Sequence, residues 1–192
     1  TSAPYLAFSN TFPANQRYGA PMDGRGAGVS TQIIIGSKAQ GGTSGTNVVV
    51  FTTADGANFT ATALATDATS ADFADGIAFG SGNTFWAKTA LDNGSGHPLR
   101  LMSFDLNTAS AVTLARFDTN SLAGVDGLGP LAVDTAHNLL AALEVRSTTA
   151  GPQRVWLFDI SGSLSDYTKP PVLLDLHSYS SQNPFASAPN GF

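Results

Sequence analysis

Three short apolar runs recur at an almost constant spacing, and this repeat constrains the fold more than any other feature of the chain. Val48-Val49-Val50-Phe51, Leu101-Met102-Ser103-Phe104 and Val155-Trp156-Leu157-Phe158 end on Phe residues that lie 53 and then 54 positions apart. A second set precedes them: Ile33-Ile34-Ile35, Phe85-Trp86-Ala87 and Leu139-Leu140-Ala141. A third set follows at 60–65, 112–117 and 171–176. Gly76-Ile77-Ala78-Phe79 and Gly129-Pro130-Leu131-Ala132-Val133 open the second and third units, and Gly26-Ala27-Gly28-Val29 opens the first with a weaker match. A period of this length marks one supersecondary unit repeated, each copy needing a neighbour to cover its apolar face.

The runs are short, rich in Val, Ile, Phe, Trp and Thr, and bounded by Gly, Asp, Asn and Ser clusters such as Ala54-Asp55-Gly56, Ser81-Gly82-Asn83 and Ser161-Gly162-Ser163. Gly and Asn supply the positive φ that tight hairpins require, so these are strand and turn signals. No stretch carries a convincing 3.6-residue period; 66–74 and 118–125 come nearest and are too short for more than a turn or two of helix. The expected class is all-β: tandem four-stranded antiparallel units of about 53 residues, forming part of a β-propeller. The whole chain, 1–192, is read as one such region, with units at about 17–66, 73–118 and 127–177. Residues 5–9 read as the closing strand of a preceding unit, and Pro189-Asn190-Gly191-Phe192 as the lead into a following one. A closed propeller takes about four to eight blades. Three units with fragments at both ends therefore predict open sheet edges, paired by another protein chain or by further parts of the same chain.

Several stretches resemble a family of uncharacterised exported bacterial proteins built as long β-propeller-like repeats, a domain of unknown function often accompanied by surface-sorting tails or immunoglobulin-like modules. They include Arg17-Tyr18-Gly19, Arg25-Gly26-Ala27-Gly28, Thr52-Thr53-Ala54-Asp55-Gly56-Ala57-Asn58-Phe59-Thr60, Gly80-Ser81-Gly82-Asn83-Thr84-Phe85-Trp86 and Leu157-Phe158-Asp159-Ile160-Ser161. The resemblance implies the repeat fold and an exported bacterial protein. It implies no activity.

Composition narrows the partners. Charged residues make up 12% of the chain, about half the usual share. The net charge is −5, and the nine Lys and Arg residues are scattered. Phosphate binding depends on clustered cations that release counterions, so nucleic acid is not an expected partner. An anionic membrane surface is disfavoured for the same reason, and no apolar stretch approaches the roughly 18–20 residues of a spanning helix. The chain has no cysteine, which removes disulfides, thiolate metal sites and Cys nucleophiles. A Ser/Thr/Asn/Gly-rich, mildly acidic, cysteine-free chain fits a bacterial protein that is secreted, periplasmic or on the cell surface. No signal peptide is visible at Thr1, which for an exported protein implies processing or a longer precursor.

Reactive residues are sparse. His97, His137 and His177 stand alone, with no second His at metal-ligand spacing. Gly24-Arg25-Gly26-Ala27-Gly28 superficially resembles a dinucleotide loop, but it leads into the strand-like Thr31-Gln32-Ile33-Ile34-Ile35, where a helix is needed. A tight β turn is the favoured reading. Asp92-Asn93-Gly94-Ser95-Gly96 offers one carboxylate where calcium wants about six to eight oxygens, so it too reads as a turn. Asp72 and Asp75, with Asp126 at a related position in the next unit, precede the first strands of units two and three. Together with Arg25 they are the ligand-binding candidates, their alternative role being to cap turns through their own backbone. No cofactor is expected, calcium being the one alternative. Trp86 and Trp156 sit where a core would be filled, and Glu144, the only glutamate, stands near a strand end. There is no G-x-S-x-G elbow.

The expected function is a non-catalytic extracellular scaffold, adhesion or assembly module acting through protein–protein contacts. The alternative is a propeller hydrolase or lyase acting on carbohydrate or lactone-like substrates at the channel mouth. That alternative requires two or more of Arg25, Asp72, Asp75, Asp126 and His137 to converge.

Overall fold

The computed structural model of the chain describes residues 16–39, 48–66, 76–88, 99–117, 128–144, 154–161 and 172–175. These residues form strands and turns, with a single 3-10 turn at Gly28–Ser30. The first unit contains β1 (Gln16–Arg25), β2 (Gln32–Ala39), β3 (Val48–Thr53) and β4 (Phe59–Thr66). The second contains β5 (Ile77–Phe79), β6 (Thr84–Lys88), β7 (Leu99–Asp105) and β8 (Ser110–Phe117). The third contains β9 (Leu128–Asp134), β10 (Leu139–Glu144), β11 (Arg154–Asp159) and β12 (Val172–Asp175). Within each unit, consecutive strands pair antiparallel. The recurring apolar runs occupy equivalent strands: the Phe-ending runs lie in β3, β7 and β11, and the runs before them in β2, β6 and β10.

Two features depart from the sequence expectation. Gly26-Ala27-Gly28-Val29 does not open the first unit as a strand; that role belongs to β1, and the glycines form the turn from β1 to β2. Gly26 and Gly28 have φ of 81° and 55°, in the left-handed region that favours glycine. At Gly26 space adds a second demand, since a Cβ there would fall 2.2 Å from the Ser30 carbonyl oxygen. The second departure is that units one and two are not separate sheets. β4 and β8 pair in parallel through Ala65↔Ser110 and Thr66↔Ala111, with Ala65 N donating to Ala109 O at 3.0 Å. This short bridge joins eight strands in the order β1-β2-β3-β4-β8-β7-β6-β5. The edge strands β1 and β5 lie alongside one another, so the mixed sheet is nearly closed and barrel-like. Unit three is a separate sheet in the order β12-β11-β10-β9. The helix-like stretches at 66–74 and 118–125 lie outside the described residues, apart from Thr66 in β4, as do the half-units at 5–9 and 189–192.

Side-chain alternation along the strands builds two cores. Ile34, Val48, Val50 and Leu64 of the first unit meet Ile77, Phe79, Phe85, Ala87, Met102 and Phe104 of the second. Trp86, Leu99, Leu101 and Phe117, from the other face of the second unit, meet Leu140, Ala142, Trp156 and Phe158 of the third. Phe85, Trp86 and Ala87 show the period of two directly, pointing to the first core, the second and the first again. Both faces of the middle unit are therefore covered. Its strands β5 and β6 are buried almost throughout, where a one-sided sheet would alternate buried and exposed.

Candidate functional site

The seam between β1 and β5 is where the candidate residue Arg25 lies. Asp23 and Arg25 are two apart on a strand, so their side chains leave the same face. They pair in register with Ile34 and Gln32 of β2, and Ile34 points into the core shared with unit two. Both side chains accordingly reach across to the second unit. Asp23 Oδ2 accepts from Phe79 N at 2.7 Å, and its Oδ1 accepts from Gly24 N at 2.8 Å. Arg25 Nε donates to Gln32 Oε1 at 2.8 Å, while Nη1 donates to Gly80 O at 3.3 Å and to Gly82 O at 2.5 Å. The guanidinium carbon sits 4.3 Å from the Phe79 ring centroid, within cation–π range.

The two strands thus meet without a backbone ladder. A carboxylate takes the edge N–H of β5, and a guanidinium two residues on binds the carbonyls of the following turn. Burial lowers the Arg25 pKa from its ordinary value, an effect opposed by the nearby Asp23 charge. The chemistry of this constellation is that of a clasp between units. Arg25→Ala is expected to lower the unfolding free energy by about 1–3 kcal/mol, from charge-assisted hydrogen bonds and the ring contact. Arg25→Lys should recover part of the loss, because an ammonium can stay over Phe79 but lacks the planar fork. Urea titrations of the two variants beside wild type measure both effects.

A second set of carboxylates closes the turns. Asp55 Oδ1 accepts from Ala57 N at 2.8 Å and Asn58 N at 2.7 Å, and Oδ2 accepts from Asn58 Nδ2 at 2.6 Å. Thr53 Oγ1 donates to the same carboxylate and accepts from Gly56 N at 2.9 Å. Asp105, Asp134 and Asp159 repeat the theme, each accepting from the backbone N–H two residues on. His137 Nδ1 lies 2.6 Å from Asp134 Oδ2, in a pair open to solvent. The Asn58 side chain and the turn amides hold the Asp55 carboxyl well below the usual carboxylate range, and His137 lowers that of Asp134.

Carboxyls lowered on folding stabilise the fold above their unfolded pKa, near 4, and that stabilisation is lost as pH falls through the folded value. The melting temperature should therefore hold from neutral pH down to about 5 and fall below about 4. Asp55→Asn should lower the plateau and flatten the acid limb, as read by thermal melts across pH.

Of the five residues on which an enzyme reading depends, Arg25 and His137 are described, and they engage separate partners: Gln32, Gly80 and Gly82 for one, Asp134 for the other. Asp72, Asp75 and Asp126 lie outside the described residues, as do His97, His177 and the turn at 92–96. Among the described residues no group of three or more His, Asp or Glu side chains is placed to hold a metal. Trp86 and Trp156 are core residues, 1% and 8% exposed, so neither offers a ring face to a sugar.

Sequence reasoning passed over Lys88 and Arg100, which are 5% and 7% exposed. The signal was present: both belong to the middle unit, whose two covered faces bury whatever its inner strands carry. Arg100 Nη1 donates to Thr113 Oγ1 at 3.4 Å across the β7–β8 pair. Comparison with protein-family models, with curated proteins and with solved structures finds no match to this chain.

Proposed function

We propose that this chain is a non-catalytic scaffold, adhesion or assembly module of an exported bacterial protein, working through protein–protein contacts. Its four-stranded units are blades of a partial β-propeller. The observation that carries the reading is the stacking of the units: the middle sheet is covered on both faces by its neighbours, and the first strands β1, β5 and β9 succeed one another along the stack. A repeat stack of this kind presents broad faces and edges suited to partners. The low charge adds support, because such surfaces associate through shape and apolar area more than through long-range attraction. Arg25 fits the same reading, since its Nη1 donor serves the junction between units while Nε is held by Gln32 of its own unit.

Incubation with a panel of polysaccharides, oligosaccharides and lactones, followed by chromatography, tests it. The expected result is no product above the protein-free control. Product release that disappears in a variant carrying Asp72→Asn, Asp75→Asn and Asp126→Asn would overturn the reading in favour of a hydrolase or lyase.

A further inference from the structure

An aspartate followed by glycine is the step in a chain most open to self-attack, because glycine has no Cβ to shield its amide nitrogen. The chain has such steps at Asp23-Gly24, Asp55-Gly56, Asp75-Gly76 and Asp126-Gly127. Asp23-Gly24 and Asp55-Gly56 lie wholly among the described residues, and the fold sets them in opposite ways.

At Asp55 the glycine nitrogen is turned away from the carboxyl, since Gly56 N donates to Thr53 Oγ1 at 2.9 Å. The carboxylate itself accepts from Ala57 N, Asn58 N and Asn58 Nδ2, which keep it ionised and hence a poor electrophile. At Asp23 the nitrogen faces its target. Gly24 N lies 2.8 Å from Asp23 Oδ1, which is one bond from Cγ, so a small turn of the side chain sets the nitrogen against the carboxyl carbon. Phe79 N donates to Oδ2 at 2.7 Å, where it steadies the charge that attack places on that oxygen. Gly24 is exposed, which admits water.

We propose that Asp23-Gly24 is a site of spontaneous isomerisation, and that the change releases the clasp between units one and two. Gly24 N bonds to Cγ of the protonated Asp23 carboxyl, and the amide proton leaves with one carboxyl oxygen as water, closing a succinimide. A second water adds at the main-chain carbonyl carbon of residue 23 and breaks its bond to Gly24 N, which takes back a proton. The product is isoaspartate, of unchanged mass. Its main chain runs through Cβ and Cγ and is one carbon longer, while its carboxylate sits directly on Cα. That carboxylate loses its reach to Phe79 N, and Arg25 is carried out of register with Gly80 and Gly82.

Incubation of the full chain in oxygen-18 water at mildly acidic pH tests this, because each ring opening leaves one heavy oxygen at the site. Trypsin releases 18–25, in which Asp23 is the only aspartate, and electron-transfer fragmentation locates the isoaspartate. In the folded protein, label should enter Asp23 about tenfold faster than Asp55, or more. In urea the two rates should converge, since the contrast comes from the fold. Labelling at Asp23 no faster than at Asp55 in the folded protein overturns the proposal, and so does a contrast undiminished by urea.

Gly24→Ala shields the nitrogen and should slow labelling at Asp23 about tenfold. Its Cβ would meet only Gln32 O, at 3.7 Å, so the strand has room for it. Unchanged labelling in that variant also counts against the site. The converted fraction of wild type, separated by chromatography, should unfold in urea about tenfold faster than unconverted protein. Equal unfolding rates would show that the clasp survives and would overturn its release.

Discussion

Phe104→Ala is expected to lower the unfolding free energy by about 3–5 kcal/mol, the range for removing a buried aromatic ring from a packed core. Phe104 is 2% exposed and lies between the first two units, its ring centroid 6.4 Å from Phe79 and 6.0 Å from Phe85. Arg25 caps the cluster, with its guanidinium carbon 5.9 Å from the Phe104 centroid. Alanine would leave a cavity walled by β-sheet on both sides, and strands held by their ladders collapse little to fill it. Urea titration should show a lower midpoint with an unchanged slope. A loss below about 1 kcal/mol would mean that the ring is not packed between the units.

Trp86→Ala should cost a similar amount, about 3–5 kcal/mol, through the opposite face of the same sheet. Trp86 is 1% exposed and stacks on Phe117 at 5.6 Å with an interplanar angle of 18°. Phe117 in turn meets Phe158 of the third unit at 4.8 Å. This aromatic path is part of the core by which unit three packs on unit two, beside Leu99, Leu101, Leu140, Ala142 and Trp156. The substitution also leaves Trp156 as the sole tryptophan, a reporter inside unit three. Its emission should shift to the red at lower urea than the loss of β-sheet signal. Coincident transitions would show instead that the third unit unfolds with the other two.

Much of the fold was legible because two signals coincide in it. Short β-branched and aromatic runs such as Val48 to Phe51, bounded by turn residues, mark strands, and the recurrence of those runs marks the unit. Apart from β1, which precedes the expected Gly26-Ala27-Gly28-Val29 stretch, each strand then lies within a few residues of its place in the repeat. What escaped was tertiary. The parallel bridge of β4 to β8 uses backbone groups of Ala65, Thr66, Ala109, Ser110 and Ala111, and nothing in those side chains announces it.

Arg25 drew attention as a ligand-binding candidate because of its glycine-rich setting. Its partners Gly80 and Gly82 offer only carbonyl oxygens, which every residue possesses, so the sequence carries no mark of the match. The seam also depends on Asp23, whose role appears only when β1 is set beside β5. Turn carboxylates were easier to read, since an Asp that caps its own backbone needs no distant partner. Asp55 does so in the very stretch where turn chemistry was expected.

The clasp of Asp23 and Arg25 has a consequence for the order of events in folding. Its bonds join residues 55 to 57 positions apart, whereas the hairpins on either side form from near neighbours. Closing so long a loop before either hairpin exists costs entropy that one carboxylate and one guanidinium cannot return. The clasp therefore belongs after the rate-limiting step, fastening units already made. Loosening it should leave the refolding limb of a chevron nearly unmoved and raise the unfolding rate. The seam then acts as a latch on lifetime, setting how long a folded molecule endures more than how fast it forms.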